Sequence, residues 1–214
     1  MPIVRQNDIP FPASERELGI AIRSIDEGQN HVGIVYSLND TARLCHLAWH
    51  HKLLDEPLAG EYYWGAIGLH EHVQSQIAGY IALLKQNQRV VPYGFSYDKP
   101  PFDDRGRYQA MAIGKGLTCA TFVMAVFERQ GCPLLIKDNW PDRPEDKVWM
   151  ERILTLLQRH AESEHLEAVK NDMDASRFRP EEVVAGAISE NPPIPFSSVS
   201  SLAHAILAAL NASE

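Results

Sequence analysis

The chain lacks the features that mark disulfide-rich, nucleic-acid-binding and membrane-spanning proteins. Its 214 residues include three cysteines, an odd number with no CxxC pair, so we expect reduced thiols rather than a disulfide framework. It has no long basic run and a formal net charge of -8, which argues against nucleic acid as a partner. Its most apolar segment, SLAHAILAAL at 201–210, is far shorter than the roughly 20 residues of a membrane-spanning helix, which predicts no stable membrane insertion.

The N-terminal sequence also lacks an apolar signal core. Charged, polar and proline residues are mixed throughout the first segment, MPIVRQNDIPFPASERELG. We therefore expect a cytoplasmic protein, with export by a signal-independent route left open. The 45% of residues that are hydrophobic can bury a sizeable core as one domain with an appended part.

The first half of the chain is rich in short segments typical of strands. Five of them contain β-branched or aromatic residues and are bounded by turn-like residues, namely ELGIAIRSI, HVGIVYSL, ARLCHLAWHH, EYYWGAIG and RVVPYGFSY. Apolar residues recur at helical spacing from about 69 to 87, which predicts a helix there. The pattern predicts a sheet of sequential strands with one helix.

The second half is predicted to be helical. A loop rich in proline and glycine covers 97–116, and Thr118 is then a candidate N-cap of a helix that ends near Gly131. Further helices are predicted at about 144–160, 179–189 and 197–211. We therefore divide this α+β chain into a domain at 1–139 and a helical extension at 140–214 that packs on the same domain.

Cys119 is the cysteine whose position favours chemistry. It follows Thr118 at the start of a helix, and the positive end of a helix stabilises a thiolate. Cys45 alternates with a polar neighbour and should point into the core, while Cys132 lies at the negative end of the same helix, where a thiolate is disfavoured. The alternative for Cys119 is that it packs as a small apolar residue.

A thiol nucleophile needs a histidine as its base and a third group that orients the imidazole. A two-residue turn at 39–40 would pair Leu38 with Thr41 in the hairpin. His31 and His46 would then be diagonal neighbours on one face, roughly 7–8 Å apart at Cα and within reach directly or through a water. A register shifted by one residue would turn His46 to the other face, so this pair depends on the turn.

The other histidines do not predict a metal site. His50 shares a strand face with His46 but lies roughly 13 Å along the strand, too far for one metal ion. His70 and His72 are two residues apart on a predicted helix and point to different sides. We expect these side chains to be solvent-facing or hydrogen-bonded, and we predict neither a metal nor a cofactor.

Two segments, HVGIVYSLNDTARLCHLAW and GLTCATFV, together resemble the circularly permuted NlpC/P60, papain-like cysteine hydrolases and acyltransferases. In that family a strand that begins with histidine comes first, and a second polar residue, often histidine, follows on the next strand. The catalytic cysteine comes last, at the N-terminus of a helix. The resemblance covers about residues 28–131 and implies a permuted papain-like α+β fold, in which an antiparallel sheet packs on the cysteine-bearing helix.

The resemblance implies a Cys-His-His triad. Cys119 resembles the nucleophile, His31 the base and His46 the orienting residue, with the pKa of the thiol lowered by the helix terminus and the imidazolium. Tyr93 and Thr118 are candidates for the oxyanion and substrate side of the site, although Tyr93 could simply pack. The implied activity is a cysteine-peptidase or amidase-like hydrolysis of a peptide, isopeptide or cell-wall-type peptide.

Two other functions stay open on the sequence. A lipid acyl hydrolase or acyltransferase would need an exposed apolar entrance or a membrane anchor, and the sequence shows neither clearly. A non-catalytic binding module would keep the fold while His31, His46 and Cys119 pack without facing one another. A Cys119 sulfur within hydrogen-bonding range of a His31 nitrogen, in a cleft open to solvent, would distinguish an enzyme from such a module.

Overall fold

A computed structural model of the chain describes residues 2–13, 18–26, 28–87, 90–109 and 112–212. This part of the chain is α+β, as predicted, with a six-stranded antiparallel sheet and six helices. The strands are β1 (Val4–Arg5), β2 (Leu18–Asp26), β3 (Gln29–Leu38), β4 (Thr41–Trp49), β5 (Lys52–Pro57) and β6 (Tyr63–Ala66). The helices are α1 (Glu71–Asn87), α2 (Cys119–Arg129), α3 (Pro144–Leu157), α4 (Ser163–Lys170), α5 (Pro180–Ala187) and α6 (Phe196–Asn211).

The sheet has the strand order β1-β6-β2-β3-β4-β5, which places β3 next to both of its sequence neighbours. Both residues of the turn at 39–40 have positive φ, 50° and 55°, which is the backbone of a type I′ hairpin turn. This turn pairs β3 with β4 from Leu38 opposite Thr41 to Ile34 opposite Cys45. The predicted register is therefore confirmed.

The main core lies between one face of the sheet and helices α1, α2 and α5, which pack on the central strands. Its buried residues include Ile20, Ile22, Val32, Ile34, Cys45, Leu47, Phe122, Val126 and Val183. On the opposite face of the sheet a smaller cluster buries Phe11, Ala21, Val35, Leu44 and Tyr62. The alternation of side chains along each strand thus gives both faces an apolar layer.

Helix α2 begins at Cys119 because Thr118 caps it. The N–H of Thr121 donates to Thr118 Oγ1 at 3.2 Å, and the N–H of Thr118 donates to Thr121 Oγ1 at 2.8 Å, a reciprocal capping box. The helix ends at Arg129, and Gly131 beyond it has a φ of 76° that glycine adopts without strain. The predicted cap and the predicted end of this helix are confirmed.

The helices after residue 140 pack against the sheet domain. Helix α5 contacts β2, β3 and α2, and α6 packs on α5. Trp140 is buried, with its ring centroid 5.0 Å from that of Phe178 and 5.2 Å from that of Phe196. In the described ranges no helix is long and apolar enough to cross a membrane. The division of the chain at residue 139 stays a prediction.

One strand prediction is wrong. Residues 90–97 of the segment RVVPYGFSY form no regular secondary structure, and residue 89 of that prediction lies outside the described residues. The backbone of this segment bonds to other loops: Val91 O accepts from the N–H of His51 and Pro92 O accepts from the N–H of Leu117, each at 2.9 Å. Pro92 also has no N–H to donate to a strand ladder.

Three elements of the described chain were not predicted: the two-residue strand β1, strand β5 and helix α4. Strand β5 has the sequence KLLDEP, whose charged residues mask the apolar alternation expected of a strand. It is nevertheless the edge strand of the sheet, where charge is common because it discourages pairing with other chains. Helix α4 is only 8 residues long, too short for its apolar period to be recognised.

Gly33 permits the close approach of β3 and β4 beside the two histidines. A Cβ at this position would lie 2.7 Å from His46 Cβ and 2.8 Å from Leu44 Cδ1, both below ordinary carbon contact distances. A larger residue would therefore push the two strands apart at the level of His46. The glycine is required by packing and not by an unusual backbone angle.

We expect Gly33→Ala to lower the free energy of unfolding by about 1–3 kcal/mol, since the new methyl group overpacks the strand contact. Gly79→Ala is the matched control, because Gly79 is exposed on α1 and a Cβ there has nothing within 4 Å. The control should raise the free energy of unfolding by roughly 0.5–1 kcal/mol. Urea unfolding measures both, and a Gly33→Ala variant as stable as the wild type would contradict the close approach.

Candidate active site

A small cavity lies at the N-terminal end of α2, between that helix, the sheet and the helices after residue 140. Its volume is about 40 Å³. Its polar lining residues include Asn30, His31, Tyr93, Thr118, Cys119 and Arg177. Pairing of β3 with β4 stops at Ile34 and Cys45, although β4 continues to Trp49, so the cavity lies where these two strands are no longer paired.

Cys119 is partly exposed at this cavity. Burial of its sulfur raises the pKa of the thiol, while the backbone N–H groups of Val32 and Ala120 and the charge of Arg177 lower it. Burial is the largest of these effects, so the resting group is a thiol. The predicted lowering of the Cys119 pKa is therefore wrong for the resting protein, because desolvation outweighs the helix terminus.

The structure brings His31 and His46 together, one from each of the paired strands. His31 Nε2 lies 2.6 Å from His46 Nδ1, and the two rings meet edge to face with centroids 4.8 Å apart. His46 Nε2 lies 3.2 Å from Glu56 Oε1 on β5. The three side chains thus form one hydrogen-bonded chain that runs from a half-exposed carboxylate to the buried imidazole of His31.

The carboxylate fixes the direction of both hydrogen bonds. Glu56 can only accept, so we assign a proton to His46 Nε2, which donates it. A neutral His46 then has an unprotonated Nδ1, which accepts from His31 Nε2. Neutral His31 is left with a lone pair on Nδ1, an atom that makes no hydrogen bond within the described chain. This is the form of imidazole that can take a proton from a thiol.

Burial keeps both imidazoles neutral at pH 7. Burial is the main cause that lowers the pKa of His31 to about 3. Repulsion between a protonated His31 and the positive charges of a protonated His46 and of Arg23 also lowers it. Burial also lowers the pKa of His46, against the opposing attraction of Glu56. The resting site is therefore a neutral thiol beside a neutral imidazole, and not the thiolate–imidazolium pair expected from the sequence.

Cys119 and His31 line the same cavity, but in the described part of the chain no hydrogen bond joins them. The geometric criterion for an enzyme, a Cys119 sulfur within hydrogen-bonding range of a His31 nitrogen, is therefore not met, although both residues line the cavity. Hydrogen bonds between nucleophile and base are often long without substrate and shorten when it binds.

Tyr93 and Thr118 both line the cavity. Tyr93 is buried, and its ring centroid is 4.9 Å from that of Trp49. Burial, and to a smaller extent the nearby Cys119, raises the pKa of its hydroxyl. That hydroxyl donates no hydrogen bond within the described chain and is free to donate to a ligand. Thr118 Oγ1 is used by the helix cap instead, which leaves Thr118 a structural role.

Two residues of the site were missed by the sequence analysis, Glu56 and Arg177. His46 is opposite Leu54 on β5, so Glu56 is its diagonal neighbour on the same face. Recognising KLLDEP as a strand would have revealed this pair. Arg177 reaches the cavity from the connection between α4 and α5, and no local pattern predicts that placement.

The remaining histidines near the site hold loops in place. His50 Nδ1 accepts from the N–H of Tyr93 at 3.1 Å, and His165 Nε2 lies 2.8 Å from Tyr93 O. Within the described residues no group of three or more His, Cys, Asp or Glu side chains is placed to hold a metal ion. These two imidazoles therefore fix the backbone at Tyr93.

Comparison of the chain with family models, with curated proteins and with solved structures gives no match. A function is therefore proposed from the chemistry of the cavity and of the hydrogen-bonded chain beside it.

The carboxylate of Glu56 should determine which nitrogen of His31 carries the proton. In Glu56→Ala the chain loses its terminal acceptor, so we expect His46 and His31 to populate both tautomers. Nitrogen-15 NMR of histidine-labelled protein should show an unprotonated His31 Nδ1 in the wild type and a partly protonated one in the variant. Alkylation of Cys119 by iodoacetamide at pH 7 should slow by roughly tenfold.

Glu128→Ala is the matched control for this variant. Glu128 is a partly exposed carboxylate in the last turn of α2, and it pairs with Lys137 at 3.1 Å rather than with a histidine. The control should leave the His31 spectrum unchanged. A Glu56→Ala spectrum identical to the wild type would contradict the assigned direction of the hydrogen bonds.

Proposed function

We propose that the protein is a thiol hydrolase that acts by acyl transfer on an amide. Cys119 is the nucleophile, His31 is the general base, and His46 with Glu56 holds His31 in the productive tautomer. The observation that carries the proposal is the hydrogen-bonded chain from Glu56 to His31, which ends at the cavity that contains the helix-terminal cysteine. Buried titratable groups beside a cavity, with pKa values shifted by desolvation and by a specific partner, are typical of functional sites.

The arrangement supports a permuted papain-like fold as part of this proposal. The first histidine lies on β3, the second on β4 and the cysteine at the start of α2, in the order that the resemblance implies. Helix α2 packs directly on both of those strands. Gly33, two residues after His31, permits the strand contact at His46.

The first half of the reaction forms a thioester. As Cys119 Sγ bonds to the carbonyl carbon of the amide, its proton moves to His31 Nδ1. The tetrahedral oxyanion is held by the backbone N–H groups of Cys119 and Ala120, which begin the helix and donate to no oxygen or nitrogen of the described chain, and by the Tyr93 hydroxyl. The C–N bond then breaks, and the amine leaves with the proton that His31 returns.

The second half of the reaction releases the acid. A water molecule attacks the thioester carbonyl while His31 Nδ1 takes one of its protons. The C–S bond breaks, Cys119 regains a proton from His31, and the carboxylic acid leaves. His46 and Glu56 stabilise each transient imidazolium, since the chain of hydrogen bonds ends on a carboxylate.

The space around Cys119 favours an amide substrate over a lipid. The cavity of about 40 Å³ is of the order of one or two water molecules and accommodates a scissile carbonyl. The groove beside it, of about 380 Å³, is within the usual size of a ligand site. Its lining includes the charged residues Glu145, Arg152, Arg177, Arg179 and Glu181. Such a surface suits a polar peptide-like chain better than an acyl tail.

The second candidate is a binding module that keeps the fold without catalysis. It is favoured by the absence of a hydrogen bond between Cys119 and His31 in the described chain and by the raised pKa of the thiol. A module of this kind would bind its ligand in the same groove. The two functions differ in whether Cys119 becomes acylated.

Incubation with p-nitrophenyl acetate tests the proposal directly. We expect release of nitrophenolate together with a single acetyl thioester, located on Cys119 by mass spectrometry of peptides. Cys119→Ala should abolish the thioester, and His31→Ala should slow its formation by about 100-fold or more, because the general base is lost.

Cys132→Ala is the matched control, because Cys132 is also partly buried and lies beyond the other end of α2. It should leave the rate unchanged. Acetylation that is equally fast in His31→Ala and the wild type, or that is spread over other residues, would contradict the enzyme and favour the module. An amide substrate can then be sought among peptides by mass spectrometry.

A further inference from the structure

Arg177 places a guanidinium in the wall of the cavity that contains Cys119. Its side chain is 9% exposed, and its Nη1 donates to Asp146 Oδ1 at 3.0 Å. Its guanidinium carbon lies 3.7 Å from the ring centroid of Trp149, so the group is stacked on an indole as well as tethered to a carboxylate. These two contacts hold the guanidinium in one orientation.

The other nitrogens of Arg177 are available to a ligand. A guanidinium has five N–H donors, and within the described chain Arg177 uses only Nη1 in a hydrogen bond. Arg179 Nη2 is fully buried without a hydrogen-bond partner, whereas the Nε and Nη2 atoms of Arg177 are not fully buried. Arg177 also lines the larger groove that adjoins the cavity, so it lies between the two.

The acids near Arg177 also bind other groups. Asp146 is shared by three guanidinium groups, from Arg143, Arg177 and Arg179. Glu182 binds Arg143, and Glu181 accepts from the side-chain amide of Asn30 at 3.0 Å. Glu145 and Arg152 line the groove that Arg177 also lines.

The charge of Arg177 acts on the reacting groups. It lowers the pKa of Cys119 and that of Tyr93, opposing the burial that raises both. The pKa of Arg177 itself is lowered mainly by burial but is sustained by Asp146, so the guanidinium stays charged. A substrate that enters the cavity therefore meets a fixed positive charge beside the nucleophile.

We propose that Arg177 binds a carboxylate of the substrate, so that the enzyme acts on amides that carry a free carboxylate close to the scissile bond. The inference rests on the proposed function, because it names the substrate class of the same site. A planar guanidinium whose Nε and Nη2 are both available to donate matches a carboxylate in a bidentate geometry. Burial in a small cavity strengthens the attraction compared with a surface arginine.

Alkylation of Cys119 tests this subsite without a known substrate. Iodoacetate carries one negative charge and iodoacetamide carries none. The rate with iodoacetate divided by the rate with iodoacetamide therefore reports the charge beside the sulfur. In the wild type we expect the ratio at Cys119 to exceed the ratio at Cys132 in the same molecule. In Arg177→Gln it should fall by about threefold or more, towards the ratio at Cys132.

Arg43→Gln is the matched control, because Arg43 is also a partly buried arginine paired with an aspartate, Asp55, but it lines neither the cavity nor the groove. It should keep the wild-type ratio. A ratio unchanged in Arg177→Gln, or lowered equally in both variants, would overturn the subsite. His31→Ala tests the proposed function separately, since loss of the base slows both reagents and leaves their ratio unchanged.

A second measurement uses the wild-type protein alone and does not depend on the folding of a variant. N-acetylglycine and N-acetylglycinamide are both amides, but only the first carries a carboxylate. We expect N-acetylglycine to slow the reaction of Cys119 with iodoacetamide and N-acetylglycinamide to have no effect at the same concentration. Equal protection by the two compounds would overturn the carboxylate subsite.

Discussion

The hydrogen bond between His31 and His46 is the interaction on which the rest of the site depends. It requires the hairpin register set by the two-residue turn at 39–40, because a shift of one residue would send His46 to the other face of the sheet. It also requires Gly33, where a side chain would collide with His46. Backbone geometry therefore fixes the imidazole pair before any substrate is present.

Burial determines the protonation states of the site residues. Desolvation keeps the thiol protonated and both imidazoles neutral. In the proposed reaction, proton transfer therefore accompanies the attack of the sulfur instead of preceding it. The same low-polarity surroundings strengthen the interactions of the buried Arg177, whereas Glu56 is half-exposed. The chain after residue 140 completes these surroundings, since Trp149 lies on α3 and Arg177 in the connection between α4 and α5.

The sequence predicted what depends on local rules and missed what depends on distant packing. The turn residues determined the register, and Thr118 determined the start of α2, so His31, His46 and Cys119 could be placed near one another. Glu56 was missed because it lies on the edge strand β5, whose charged sequence lacks the apolar alternation typical of a strand. Arg177 and the neutral resting state could not be predicted, since both follow from how the helical extension closes over the cavity.

The pH dependence of Cys119 alkylation by iodoacetamide, measured in the wild type and in His31→Ala, shows most directly whether His31 acts as a base on Cys119. The neutral thiol of Cys119 and the neutral imidazole of His31 coexist at every pH between the pKa of His31, about 3, and the raised pKa of Cys119. The rate of alkylation assisted by the neutral base is therefore independent of pH in this range. We expect a nearly constant wild-type rate from about pH 5.5 to 8, and a rise of about tenfold per pH unit in His31→Ala. The same steep rise in both proteins would show that His31 does not act on Cys119.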